Sequence, residues 1–321
     1  MGRTHVPRHG TLQFWPRKRA KRIYARVRNP VLPEKGLAGF AGYKVAMTHC
    51  LLVDNRAFSQ TRNEEISCPV TIIECPPLKV ASVRFYKKTT NGLRLVSEIF
   101  SNVDKELERR ISVPKKTKES LDELGKGLQD YYDVRLLVYT QPRLVGMKKK
   151  PELFEMHIGG KDAKEKLDYA KSVFGKEVKV VDALRAGQQL DIYAVTKGKG
   201  IQGPVKRFGV SLRQHKSEKT KRGPGSLGSW GSPTTWRTAH AGQMGFHKRM
   251  EHNKLLIKIS DNPAEINPAS GFQRYGVVKN SYVLVKGSVA GPSKRLIRLS
   301  FASRPNRVIP ALPVQVNYIK K

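Results

Sequence analysis

Gly198-Lys199-Gly200-Ile201-Gln202-Gly203 has the spacing closest to a chemical site: it matches G-x-G-x-x-G, follows a strand-like run, and has Glu218 20 residues past Gly198. In a dinucleotide fold such glycines let the backbone approach a pyrophosphate, and the acid takes a ribose hydroxyl. The context denies that use. Pro204, Lys206-Arg207 and Gly209 make no amphipathic helix, no βαβ repeat surrounds the motif, and Glu218 is flanked by Lys216, Lys219 and Lys221. His240, His247 and His252 follow as H-x6-H-x4-H. A metal would want a helical pair with a carboxylate, or added cysteines, whereas His247-Lys248-Arg249-Met250-Glu251-His252 sets cations inside the site. Neither G-x-S-x-G nor G-x-x-x-x-G-K-[ST] occurs. The sequence thus offers no catalytic residue, no metal site and no cofactor site. What survives is local physics: glycines that allow close backbone approach to phosphates, beside lysines that add charge.

That motif opens a run from Lys197 to Lys254 that holds 13 Lys or Arg, ten glycines, and Glu218 and Glu251 as its acids. Its apolar residues are too sparse for a core, and both ends lead into strand-like sequence, so it reads as one long basic loop. Trp230, within Gly-Ser-Trp-Gly-Ser-Pro, and Trp236 lie near its middle without apolar neighbours. Such a Trp suits a loop tip that packs on unpaired bases, where stacking supplies about 1–3 kcal/mol per base. The N-terminus repeats the theme. Arg3, Arg8, Arg17, Lys18, Arg19, Lys21, Arg22, Arg26 and Arg28 all precede the first acid, Glu34, and Phe14-Trp15 sit just before Arg17-Lys18-Arg19. Cations interleaved with aromatics read as an arm that orders on RNA.

The totals agree. The chain carries 61 Lys+Arg against 26 Asp+Glu, a formal +35, which implies a polyanion partner, most simply nucleic acid. The excess is uneven: Glu98 to Asp182 holds 18 basic and 16 acidic residues, a net of +2, and the remainder carries +33. No apolar run of 18 or more residues argues for a membrane, and Met1-Gly2-Arg3-Thr4-His5 lacks a signal-peptide core, so a cytoplasmic protein is expected. Cys50, Cys68 and Cys75 form no C-x-x-C and read as buried free thiols.

The elements that must position these residues are mostly strands. Tyr43–Thr48, Cys50–Val53, Val70–Ile73, Leu78–Tyr86 and Leu93–Ile99 are short β-branched runs between turn signals, as in a barrel or sandwich. Helix signals follow: a capping-box-like start at Ser101–Asp104 with Val103, Leu107 and Ile111 on one face, a second helix within 120–131, and a third at Asp162–Phe174 that Gly175 stops. Strands are predicted again at Val134–Thr140, Glu177–Val181, Gln189–Thr196, Lys254–Ser260, Phe272–Val278, Ser281–Val285 and Lys294–Phe301. The expected organisation is a basic arm (1–36), a first part of a β-barrel (37–100), an α+β insertion (101–176), barrel strands (177–196), a Gly-rich finger (197–253), the last part of the barrel (254–303) and a Pro-rich surface tail (304–321).

Four motifs in order then give a resemblance. Asp191-Ile192-Tyr193-Ala194-Val195-Thr196 leading into the glycine motif, Arg222-Gly223-Pro224-Gly225-Ser226-Leu227-Gly228, Ala241-Gly242-Gln243-Met244-Gly245 and Leu284-Val285-Lys286-Gly287-Ser288-Val289-Ala290-Gly291 look like the ribosomal protein L-three family of the large subunit. Pro7-Arg8-His9-Gly10, Pro16-Arg17-Lys18-Arg19 and the middle insertion resemble its archaeal and eukaryotic branch. The resemblance implies a mainly β chain: a six-stranded barrel of the translation-factor second-domain type, with an α+β insertion and long basic extensions. It implies a structural protein, not an enzyme, that binds large-subunit rRNA near its 3′ end. Early assembly, neighbouring large-subunit proteins and a finger whose tip, Trp230, lies near the peptidyl transferase centre are implied with it. Relatives in bacteria carry a modifiable Gln near the position of Ser229, and those in eukaryotes a modifiable His near Lys221, so neither modification is expected here.

On that reading rRNA meets Arg3, Arg8, His9, Trp15, Arg17, Lys18, Arg19, Lys21 and Arg22 in the arm. In the finger it meets Lys197, Lys199, Lys206, Arg207, Arg213, Lys216, Lys219, Lys221, Arg222, Trp230, Trp236, Arg237, His240, Gln243, His247, Lys248 and Arg249. The rival classes are an RNA-modifying enzyme using 198–203 as a cofactor loop, and a translation factor on the same barrel, which would need a nucleotide-binding domain.

Overall fold

The computed structural model describes residues 7–102, 104–112, 114, 121, 127, 131–217, 219–225, 227 and 238–321. The site residues Arg3, Trp230, Trp236 and Arg237, and most of the helix expected within 120–131, lie outside the described residues. The chain divides into two compact units, a larger one of Tyr24–Ala194 with Met250–Lys321 and a smaller one of Met1–Ile23 with Val195–Arg249.

The larger unit begins with β1 (Gly36–Leu37), β2 (Phe40–Val53) and β3 (Glu65–Glu74). Next come β4 (Leu78–Thr89), β5 (Gly92–Phe100), α1 (Lys105–Glu108), β6 (Asp133–Tyr139), α2 (Pro142–Val145) and β7 (Leu153–Gly159). Then follow α3 (Ala163–Val173), β8 (Glu177–Val178), α4 (Val180–Ala183) and β9 (Gln189–Val195). After β10 (Ile201–Gln202), α5 (Pro204–Phe208) and β11 (Gly242–Gln243) of the smaller unit, the chain returns through β12 (Lys248–Ser260). It ends with β13 (Tyr282–Lys286), β14 (Leu296–Phe301) and β15 (Val316–Ile319).

One sheet of seven strands runs β14-β9-β12-β13-β3-β2-β15, and β14 also pairs with β2. The two-residue period of a strand divides its apolar residues between two cores. Ile73, Val283, Val285 and Leu256 enter one cluster, while their neighbours Ile72, Tyr282, Leu284, Leu255 and Ile257 enter the other. Strands buried on both faces explain the near-continuous apolar runs that alternation alone would not give. A second sheet, β1-β7-β6-β4-β5 with β8 on β4, contributes Val83, Phe85, Leu136 and Met156 to the first cluster, and α3 adds Leu167 and Ala170.

Several elements differ from the sequence expectation. Tyr43–Thr48 and Cys50–Val53 are one strand, because His49 continues the ladder opposite Pro69. β4 and β5, which sequence order groups with β2 and β3, are bonded to each other in the second sheet, where β4 also pairs with β6. The run Glu177–Val181 stops pairing at Val178 and turns into α4, where Asp182 accepts the Lys179 N–H at 3.0 Å. Phe272–Val278 is a tight turn, not a strand: Phe272 and Gly276 exchange both backbone bonds around Arg274 at φ 65°. Part of the expected surface tail pairs with β2 as β15. Helix α3 matches the expected span and ends before Gly175 at φ 71°, although Asp162 caps it without a side-chain bond. The described part of the first helix is the single turn α1, anchored by fully buried Leu107. The three cysteines are free and buried.

Carboxylates tie this unit together. Buried Glu74 accepts Lys279 N–H and Asn280 N–H at 3.0 and 2.9 Å, Asn280 Nδ2 at 2.7 Å, and the Tyr275 hydroxyl at 2.5 Å. Asp133 faces Lys166 at 2.7 Å and Arg135 at 2.8 Å. Asp54 receives two bonds from the Arg56 guanidinium, at 2.9 and 2.6 Å.

Candidate nucleic-acid interface

In the smaller unit, sequence supplies 19 Lys or Arg and one acid, Glu218, which is not among the described residues. Arg17, Arg207, Arg19 and Arg249 of this unit meet carbonyl oxygens and aromatic faces. Its frame is an antiparallel ladder at the finger's base. Ile201 and Gln202 of β10 pair with Gln243 and Gly242 of β11. Lys199 N–H donates to Met244 O at 2.9 Å, Met244 N–H to Gly200 O at 2.8 Å, and Thr196 N–H to His247 O at 2.9 Å. Gly245 is required here: at φ 73°, a Cβ would lie 2.1 Å from Lys197 O.

The arm is held against this ladder by side chains from both segments. Arg17 Nη1 donates to Arg207 O at 2.6 Å, and its guanidinium carbon lies 4.2 Å from the Phe208 ring centre and 5.8 Å from that of Trp15. Trp15 itself lies 5.9 Å from Phe208, and its indole N–H donates to Thr11 O at 2.7 Å. Arg207 reaches the opposite strand, donating from Nε to Gln243 O at 3.1 Å and from Nη1 to His240 O at 2.9 Å. Arg249 lies 4.6 Å from the Phe14 ring centre and Arg19 5.1 Å from that of Phe246. Backbone bonds add register: Ala20 N–H donates to Phe246 O at 2.8 Å. A cation over an aromatic face contributes about 0.5–2 kcal/mol, more as it is desolvated.

Burial and neighbouring like charge both act on these cations. Burial, then the neighbouring Arg207, Arg249 and Arg8, holds the Arg17 guanidinium below its ordinary range. Burial does the same to Arg207 and Arg249. Thr11, Phe14, Arg17, Lys197, Lys199, Met244 and Arg249 are among the residues lining a cleft of ≈ 380 Å³. Such an arrangement can accept phosphate oxygens at the rim and a flat base against Phe14.

The sequence-predicted residues divide by role. Arg8, His9, Lys18, Arg19, Lys21, Arg22, Lys197, Lys199, Lys206, Arg213, Lys216, Lys219, Lys221, Arg222, His240 and Lys248 are exposed. Trp15, Arg17, Arg207, Gln243 and Arg249 are half-buried and shape the unit from within. Gln243 turns inward, its Nε2 donating to Met244 O and Gly245 O, both at 3.1 Å. His247 is buried and its Nδ1 donates to Lys18 O at 2.8 Å, with burial foremost in lowering its pKa, so it fixes the arm as a neutral imidazole. His252 belongs to the larger unit, 3.2 Å from Asp191. No group of three or more His, Cys, Asp or Glu placed to hold a metal occurs among the described residues. The glycine motif enters β10 and then the five-residue α5, and the Lys199 N–H a phosphate would have met is taken by Met244 O. Sequence reading missed Phe208 and Phe246 as platforms. The signal was present, since each adjoins a basic or His residue in Arg207-Phe208 and Phe246-His247-Lys248.

Comparison with known proteins bears on the same residues. A model of the family described as Ribosomal protein L3 matches residues 1–320. The chain is 48% identical over 310 residues to a protein of Methanosphaera stadtmanae named Large ribosomal subunit protein uL3, covering 93% of this chain and 92% of that one. Its counterpart of the same name in Methanobrevibacter smithii is 45% identical, with 99% and 98% covered, and that of Archaeoglobus fulgidus 48%, with 94% and 93% covered.

Proposed function

This chain belongs to the ribosomal protein L3 family, and from that premise we propose that it binds large-subunit rRNA through its smaller unit and so joins converging RNA helices during early subunit assembly. The observation that carries the reading is the smaller unit's charge, 19 cations against Glu218, with Arg17, Arg207, Arg19 and Arg249 held on carbonyls and rings. Lys and Arg there replace counterions, which makes binding strongly salt-dependent. Arm and finger base form a preorganised platform, because Arg17, Arg207 and His247 fix the backbone before RNA arrives. Neighbouring large-subunit proteins are the other partners. Membrane is not among them, and no helix among the described residues is long and apolar enough to cross one.

In this reading the larger unit is a six-stranded barrel, β2-β3-β13-β12-β9-β14, supported by the pairing of β14 with both β9 and β2. It carries a finger whose tip, Trp230, reaches toward the peptidyl transferase centre. RNA performs the chemistry there, and the protein positions it. Trp230→Cys is expected to leave subunit assembly intact while altering tRNA accommodation or sensitivity to drugs that bind at the centre. Purified mutant ribosomes with unchanged peptide-bond rates and drug sensitivity would sink the tip assignment.

A further inference from the structure

The segment from Glu98 to Asp182 is nearly neutral in sum, with 18 basic and 16 acidic residues, yet its described residues are not mixed evenly in space. Helix α1 with the turn after it, and α2 with the turn after that, open a cleft of ≈ 600 Å³ lined by Lys105, Glu106, Arg109, Arg143, Gly146, Met147, Lys148 and Lys149. Among these described residues five cations face one carboxylate. Glu106 is already committed to Arg143, at 3.0 Å. Lys148 is paired with Glu152 from beneath, and that carboxylate also accepts the Thr140 and Tyr43 hydroxyls. Lys105, Arg109 and Lys149 are exposed and form no ion pair among the described residues.

The cleft is a built feature. Leu107 of α1 is fully buried with Ala81 and Tyr139, and Val145 of α2 is buried in the main core. Gly146 at φ 79° ends α2 and turns the chain so that Lys148 and Lys149 return to the same opening as α1. Uncompensated cations held close on two anchored turns repel one another, a cost that an anion removes.

We propose that this cleft is a second RNA contact, independent of the arm and finger, that seats the phosphodiester backbone of one strand. Arg109 and Arg143 offer planar forks that match phosphate oxygens, and Lys105 and Lys149 add point charges beside them. An acidic protein segment would need apolar side chains to pack on as well, and among the described lining residues Met147 is the one that offers this.

The test compares full chains binding to purified large-subunit rRNA, with affinity measured across a salt series. The triple variant Lys105→Gln/Arg109→Gln/Lys149→Gln is expected to lower the log–log salt slope by about 2–3, since each lost phosphate contact removes about 0.7–0.9. All three side chains are exposed, and an unchanged thermal midpoint will show that the fold is kept. Lys197→Gln/Lys199→Gln is run in parallel. A slope moved by the finger pair and not by the cleft triple overturns this inference and leaves the main reading standing, whereas slopes unmoved by either overturn both. Binding of a poly-glutamate probe to the wild-type chain and not to the triple variant, with an unmoved RNA slope, would assign the cleft to an acidic protein instead.

Discussion

The two units handle the same residue type in opposite ways. In the larger one Arg56, Arg135, Lys166 and Lys258 each meet a carboxylate at 2.6 to 2.8 Å. In the smaller one Arg17, Arg207, Arg19 and Arg249 meet carbonyl oxygens and aromatic rings, because no carboxylate is there among the described residues. Carbonyls and rings orient a guanidinium without neutralising it. Those four cations of the larger unit are thus counter-charged within the fold, whereas the guanidiniums named in the smaller one keep their charge. Guanidiniums held at fixed positions on carbonyls and rings indicate a polyanion more specifically than total charge, which the larger unit also carries.

The comparison can be broken at several points. Deleting 197–253 is expected to abolish entry into large subunits altogether, because it removes 12 of the smaller unit's 19 cations and the ladder on which the arm rests. Normal levels of mature subunits containing the deleted protein would refute that. In the larger unit, Glu74→Ala strands four buried or half-buried donors, each costing about 1–3 kcal/mol when left without a partner, so a stability loss of at least about 3 kcal/mol is expected. Chemical denaturation measures it, and a loss under 1 kcal/mol would show that the carboxylate is not the tie proposed.

Arg207→Ala acts locally in the smaller unit. It frees the carbonyls of Gln243 and His240, and amide exchange at Lys199 and Met244 is expected to speed up roughly tenfold for each ~1.4 kcal/mol lost. Exchange unchanged at both amides would contradict the preorganised platform. Gly245→Ala places a Cβ against Lys197 O at positive φ and should cost more than about 1 kcal/mol, seen as fraying of the same ladder. An unaltered exchange pattern would mean that the backbone there yields without cost.

The smallest expected effect is titration of Asp54. The bonds from Arg56 hold its carboxyl well below the usual carboxylate range. Its contribution is therefore present above the unfolded value of about 3.9 and is lost as pH falls below it toward the folded value. Arg56 is 39% exposed, so screening limits the pair to about 1 kcal/mol. Asp54→Asn should flatten the acid limb of the stability–pH curve below pH 4; an identical limb would show that other carboxylates govern it.

Much of this was legible in the chain. Strand runs such as Val70–Ile73 and Ser281–Val285 carry β-branched residues without breaks, and α3 has both apolar spacing and a stopping glycine. The arm and finger stood out because they cannot build a core. What was not legible depends on partners distant in sequence. Nothing local tells β4 to pair with β6 and not β3, since pairing is set by which sheet buries its faces. Glu177–Val181 alternates like a strand, but Val180 is drawn into the core by one turn of helix. In the interface, Lys and Arg announced themselves by charge, whereas Phe208 and Phe246 became platforms only when Arg17 and Arg19 arrived from some 190 or more residues away in sequence. His247 counted as an exposed contact on composition and is buried by the arm it holds.

The central claim is the proposal that the smaller unit's cations are held on large-subunit RNA. The direct measurement is sedimentation of the tagged full-length protein from cell lysate on a gradient, before and after a high-salt wash. The account requires it to travel with the large subunit in stoichiometric amount through the wash, since many simultaneous phosphate contacts and a buried finger cannot all be released at once. A protein that washes off, or runs in the light fractions, would contradict it and show that the charge serves a transient partner.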